Sequence, residues 1–157
     1  DPKDKKDKYY QSSTSHTLDD GGFLDASKVN YVVYPMSSGY DGWRGCLATI
    51  RDNQTGKVIY AVLGDAGPSK NGWGEVSIQA ARSLGYAVSG NAGVDPDKKF
   101  TITCYPNCKL KLLGKASASV QSQIQSQAEA YASKFTSAKS DSKSTDAQKP
   151  KDTQTSH

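Results

Sequence analysis

Hydrophobic positions fall in short runs separated by stretches rich in glycine, asparagine and serine, with one long helical stripe towards the C-terminus. Residues 29–34 (VNYVVY) are β-branched and aromatic, and read as a strand that Pro35 stops. Residues 46–51 and 57–63 read as two strands joined by a five-residue hairpin turn, Asp52-Asn-Gln-Thr-Gly56. Residues 86–88 read as a short strand, and 100–105 alternate as a last one. Val76, Ala80 and Leu84 recur at helical spacing and predict a helix that begins near Glu75 and that Gly85 ends. Val120, Ile124, Ala128, Tyr131, Phe135 and Ala138 recur every three or four residues and predict a second helix over about 116–138. Its opposite face is Ser, Gln and Lys. This helix either packs on its own domain or stands apart and binds a partner.

Too few helices separate the strands for parallel βαβ winding. The expected fold is mainly β with α elements: a small β-barrel or β-rich domain with one embedded helix and an extra C-terminal amphipathic helix. Of the 157 residues, 35% are hydrophobic, and the shortage lies at the two ends. Residues 1–19 and 139–157 are charged and polar and are expected to be disordered, leaving a barrel over 20–114 and a helix over 115–138. The formal net charge is +4, with no basic stripe interleaved with aromatics, so nucleic acid is not an expected partner. No stretch has the length and apolarity of a membrane span, so no membrane partner is expected either, and a monomer is. The sequence begins at Asp1, which fits a processed or truncated product, from which any secretion signal would already have been removed.

Three cysteines are present. Cys104 and Cys108 straddle a turn that brings them within reach of each other, and Cys46 is an equal partner for either. The two histidines, His16 and His157, lie in polar ends, so no metal site and no cofactor are expected. Asp95 and Asp97 are two acids in a loop, short of a calcium set. Asn53-Gln54-Thr55 is a glycosylation sequon on the hairpin turn.

The candidate chemistry lies in residues 60–84, which read as a strand, a glycine-rich loop and a helix. Asp65 leaves the strand and Glu75 enters the helix. Two carboxylates fixed across a loop are what glycoside cleavage needs: one acid protonates the leaving oxygen and one base activates water. Trp73, beside Glu75, is a candidate for stacking on a sugar ring, and Tyr40 and Trp43 are candidates for the same platform. Ser77 is a candidate for bonding the loop, Glu75 or substrate.

The motif Gly64-Asp65-Ala66-Gly67-Pro68 with Gly74-Glu75-Val76-Ser77 resembles that of the glycoside hydrolase family 75 chitosanases. Leu24-Asp25-Ala26, Tyr31-Val32-Val33-x-Pro35 and the segment from Phe100 to Pro106 resemble family segments in the same order, so the likeness covers about 22–106. It implies a barrel of the double-psi type and a secreted, inverting endo-hydrolase of chitosan with Asp65 and Glu75 as the essential pair. Carried over, Asp65 would be the base and Glu75 the acid, with Asp25 a candidate for binding a glucosamine ammonium of the substrate. The alternatives are a non-catalytic glycan-binding barrel and a hydrolase of a related amino-sugar polymer such as peptidoglycan.

Overall fold

A computed structural model describes residues 11–36, 39–88 and 100–143, with the helical side chains as far as Phe135. Among the described residues, four strands and two helices make up a small, mainly β, barrel-like domain with α elements. The strands are β1 (Tyr31–Pro35), β2 (Cys46–Asp52), β3 (Val58–Gly67) and β4 (Phe100–Lys109). The helices are α1 (Ile78–Ser83) and α2 (Val120–Lys143). Short 3-10 turns cover Asp41–Trp43 and Ser69–Asn71.

The four strands form one mixed sheet in the order β1-β3-β2-β4. The β2–β3 hairpin is antiparallel, with Thr49 opposite Tyr60, and β4 runs antiparallel to β2. Its turn is held by the buried carboxylate of Asp52, whose Oδ1 accepts the backbone N–H of Gln54 at 2.8 Å. β1 pairs in parallel with β3. On its other side β1 meets residues 75–77 through the antiparallel bridge of Val32 with Val76. The β4 ladder jumps at Pro106, with Leu47 opposite Tyr105 but Cys46 opposite Lys109, because proline has no N–H to donate.

Side chains alternate across the sheet and build one core on each face. Val32, Tyr34, Ala48, Ile50 and Leu63 pack under α1 through Ala80 and Leu84. Leu24, Val29, Tyr31, Leu47 and Val62 pack under α2 through Ile124 and Ala128, both fully buried. Burying an isoleucine in this way is worth about 1.5–3 kcal/mol, so α2 belongs to the domain. Its docking also uses its glutamines. Gln123 and Gln127 each accept from and donate to one backbone unit, Leu113 and Lys111 respectively, at 2.8–2.9 Å. Four helical residues rise about 6 Å and two extended residues about 6.6 Å, so the two spacings match.

Several boundaries differ from the sequence reading. β3 runs four residues further, so Asp65 lies inside the strand. α1 starts at Ile78 with Ser77 as its N-cap, so Glu75 is in extended chain and gains nothing from a helix terminus. α2 begins at Val120 because the Ser119 Oγ accepts the N–H of Ser122. Residues 86–88 form no strand. The boundary at residue 20 falls late: Thr14 is buried and the N–H of His16 donates to the carbonyl of Gly64 at 2.9 Å. Residues 1–10, 144–157 and the Asp95–Asp97 pair lie outside the described residues.

Candidate active site

Asp65 and Glu75 are brought to one face of the sheet by two different devices. The first is a bulge. The β1–β3 register steps from Val32–Leu63 to Val33–Asp65, which leaves Gly64 as the extra residue. Without it Asp65 would share the α1 face with Leu63; with it Asp65 stands opposite Val33 and shares the face of Tyr31 and Val33. Gly64 has to lack a side chain, since a β-carbon there would lie 2.6 Å from Leu24 Cδ1 and 2.8 Å from Tyr31 Cβ.

The second device is the pairing of residues 75–77 along the free edge of β1. The N–H of Val33 donates to the Glu75 carbonyl, and the N–H of Ser77 to that of Tyr31, both at 2.9 Å. Glu75 is therefore also opposite Val33, from the other side. Gly74, at φ 125, supplies the turn into this short edge. Glu75, Val33 and Asp65 form one row across three neighbouring chains, and registered neighbours share a face. The two acidic backbones are two strand spacings apart, about 10 Å. The Glu75 carboxylate leans inward over Gly67, where Oε2 lies 3.4 Å from the site a β-carbon would take.

The two carboxylates differ in their surroundings. Asp65 Oδ1 accepts three hydrogen bonds: from the Ser15 N–H and Oγ–H at 2.8 Å each, and from the Ala66 N–H at 2.9 Å. Among the described residues Glu75 is exposed, and its carboxylate has neither a hydrogen bond nor an ion pair. Tyr31 feels both charges. Burial, and then the negative charges of Asp65, Glu75 and Asp25, push its phenol well above the ordinary tyrosine value. Three acids thus act on one buried tyrosine.

Asp25 reaches this group but is occupied. Its carboxylate accepts from the Ser27 N–H at 2.9 Å and the Ser27 hydroxyl at 2.6 Å, and pairs with Lys28 at 3.3 Å. Burial raises its pKa, but the Ser27 bonds and Lys28 outweigh that and hold it below the usual carboxylate range. Asp41 bonds the Tyr34 hydroxyl at 2.9 Å and pairs with Arg44 at 3.5 Å.

The three aromatic candidates meet. Tyr40 packs edge-on against Trp43 at 4.9 Å and against Trp73 at 5.0 Å between ring centroids. Trp73 is 39% exposed, while Tyr40 and Trp43 pack against the core on the α1 face. Ser77 does not belong to the site. It is 3% exposed, and its hydroxyl donates to the Val29 carbonyl at 2.7 Å while accepting the N–H groups of Tyr31 and Ala80, both at 3.1 Å. A hydroxyl spent on three backbone partners has nothing left for a substrate. The residue that sequence reasoning missed is Ser15, because the polar segment around it has no hydrophobic period.

Other candidates fall away. Cys46, Cys104 and Cys108 are free thiols, and Cys46 Sγ contacts the Pro106 carbonyl at 3.4 Å. Among the described residues no group of His, Cys, Asp and Glu is arranged to hold a metal ion, and no helix is long and apolar enough to cross a membrane. A groove of about 550 Å³ lies between α2 and the sheet, lined among others by Tyr60, Tyr105, Tyr131 and Phe135. Its lining extends to Arg51 and Val58 beside the hairpin and includes neither carboxylate.

Compared with known proteins, the chain matches no family model and no curated sequence.

Proposed function

We propose that this domain is an endo-acting glycoside hydrolase that cleaves β-1,4 bonds of chitosan with inversion, using Asp65 as base and Glu75 as acid. One observation carries the reading: Glu75 and Asp65 stand on one face in a single row, on either side of Val33. Inverting glycosidases hold their carboxyls roughly 6.5–9.5 Å apart, so that a water fits on one side of the sugar. Backbones about 10 Å apart, bearing one short and one longer acidic side chain, accommodate that range. The resemblance of residues 22–106 to the family 75 chitosanases supports the same pair.

In the proposed reaction a water oxygen attacks the anomeric carbon as one of its protons passes to Asp65. Glu75 gives its proton to the glycosidic oxygen as the carbon–oxygen bond breaks. One water is consumed, two shorter chains leave, and solvent returns the carboxyls to their starting protonation. The cluster of Asp25, Asp65 and Glu75 makes this face locally acidic, which suits a protonated glucosamine polymer despite the net positive charge of the chain. The exposed ring of Trp73, braced by Tyr40, is suited to stack on a sugar of the same chain. A polymer too large to enter a cell agrees with a secreted enzyme.

Reducing-end release from soluble chitosan tests the reading, with peptidoglycan alongside. Wild type is expected to cut chitosan, and Asp65→Asn and Glu75→Gln to lose at least about 100-fold in kcat, as general acid–base groups do. NMR of the first product is expected to show the inverted anomer. Full activity in either variant refutes its assigned role. Sugar binding through the Tyr40–Trp43–Trp73 cluster with no reducing ends released favours a non-catalytic glycan-binding domain.

A further inference from the structure

Resting on the hydrolase reading of this face, we propose that Ser15 is the positioning residue of Asp65: a strap before the first strand fixes Oδ1 of the base and leaves Oδ2 to take the proton from water.

The strap is built from both sides. The Thr14 hydroxyl donates to the His16 carbonyl at 2.7 Å and accepts the Leu24 N–H at 3.0 Å. The His16 N–H donates to the Gly64 carbonyl at 2.9 Å, next to the bulge that turns Asp65. Arg44 Nη1 donates to the Ser15 carbonyl at 3.3 Å. Ser15 is thus held at its backbone while its own N–H and hydroxyl both aim at Asp65 Oδ1 at 2.8 Å. Its Oγ in turn accepts the Ala66 N–H at 3.1 Å, a donor shared with Asp65 Oδ1.

All three donors converge on Oδ1, and among the described residues none reaches Oδ2. Two of the three are backbone N–H groups, which cannot reverse direction. Such bonds are strongest when the acceptor is ionised. The carboxylate is therefore pinned by one oxygen with the other presented, which is the arrangement a base needs. Among the described residues Glu75 has no such donors, which leaves it to carry and deliver a proton. The division of labour between the two acids follows from this asymmetry.

The test uses the full chain and two readouts. Ser15→Ala keeps the backbone bond and removes the hydroxyl. It is expected to lower kcat on soluble chitosan about 10- to 100-fold, the scale of a small misplacement of a catalytic group, with KM within about twofold. Ser15→Thr restores most of kcat. Urea unfolding of Ser15→Ala, Asp65→Ala and the double variant reads the contact without any substrate. The midpoint shift from Ser15→Ala is expected to shrink in the Asp65→Ala background. Equal kcat in wild type and Ser15→Ala, or Ala and Thr variants that behave alike, overturns the proposal. So does additivity of the two midpoint shifts. A wild type that cuts no chitosan but shows non-additive shifts overturns the base role through the hydrolase reading, while the contact itself stands.

Discussion

Replacing Ser77 by alanine tests how the edge carrying Glu75 is held. The Ser77 hydroxyl makes three bonds inside the fold, to the Val29 carbonyl and to the N–H groups of Tyr31 and Ala80. Tyr31 and Ala80 are buried, so water cannot replace the lost partner. Loss of the N-cap costs about 1 kcal/mol. Leaving the Tyr31 N–H unpaired costs about a further 1–3 kcal/mol. Ser77→Ala should therefore destabilise the domain by about 3 kcal/mol, measured by urea unfolding. For a domain of this size that lowers Tm by about 10–15 °C. Because the hydroxyl faces inward, KM for chitosan measured well below the melting range should stay within about twofold. A loss under about 1 kcal/mol would show that the three bonds are not made. A large rise in KM with intact stability would return Ser77 to the substrate.

Two further outcomes follow from the same geometry. Gln123→Ala and Gln127→Ala each remove a paired donor and acceptor from the extended chain at Leu113 and Lys111; each should cost about 1–2 kcal/mol in urea unfolding, and an unchanged midpoint in both would mean that α2 docks by its apolar stripe alone. The pKa of His16 is lowered by burial first and then by the positive charges of Lys109 and Arg44, so the stability it contributes is full above about pH 6.5 and is lost as pH falls through its folded value. Between pH 7 and 5 wild type should lose more stability than His16→Gln, and parallel curves would refute that.

The parts of this fold legible in the sequence are those held by hydrophobic periodicity. Short apolar runs mark β2 and β3, the Asp52–Gly56 turn joins them, alternation marks β4, and the stripe from Val120 marks a helix whose docking only the structure shows. The carboxylate pair was visible as a motif, but the reason it forms a pair was not. Residues 75–77 are too short to alternate, so their pairing with β1 left no pattern, and Glu75 was read into a helix that starts only at Ile78. The bulge at Gly64 shifts the face of Asp65 by one residue without altering the sequence signal. Ser15, Gln123 and Gln127 act by polar side chains on carboxylate or backbone, a kind of anchor that composition assigns to solvent. These hidden contacts share a consequence. Each fixes the position of backbone or carboxylate without filling a core, and of these contacts Ser15 on Asp65 and the short edge at residues 75–77 bear on the placement of the two acids. If the hydrolase reading holds, the residues that govern rate beyond the two acids are therefore to be sought in the strap and the short edge rather than under the helices.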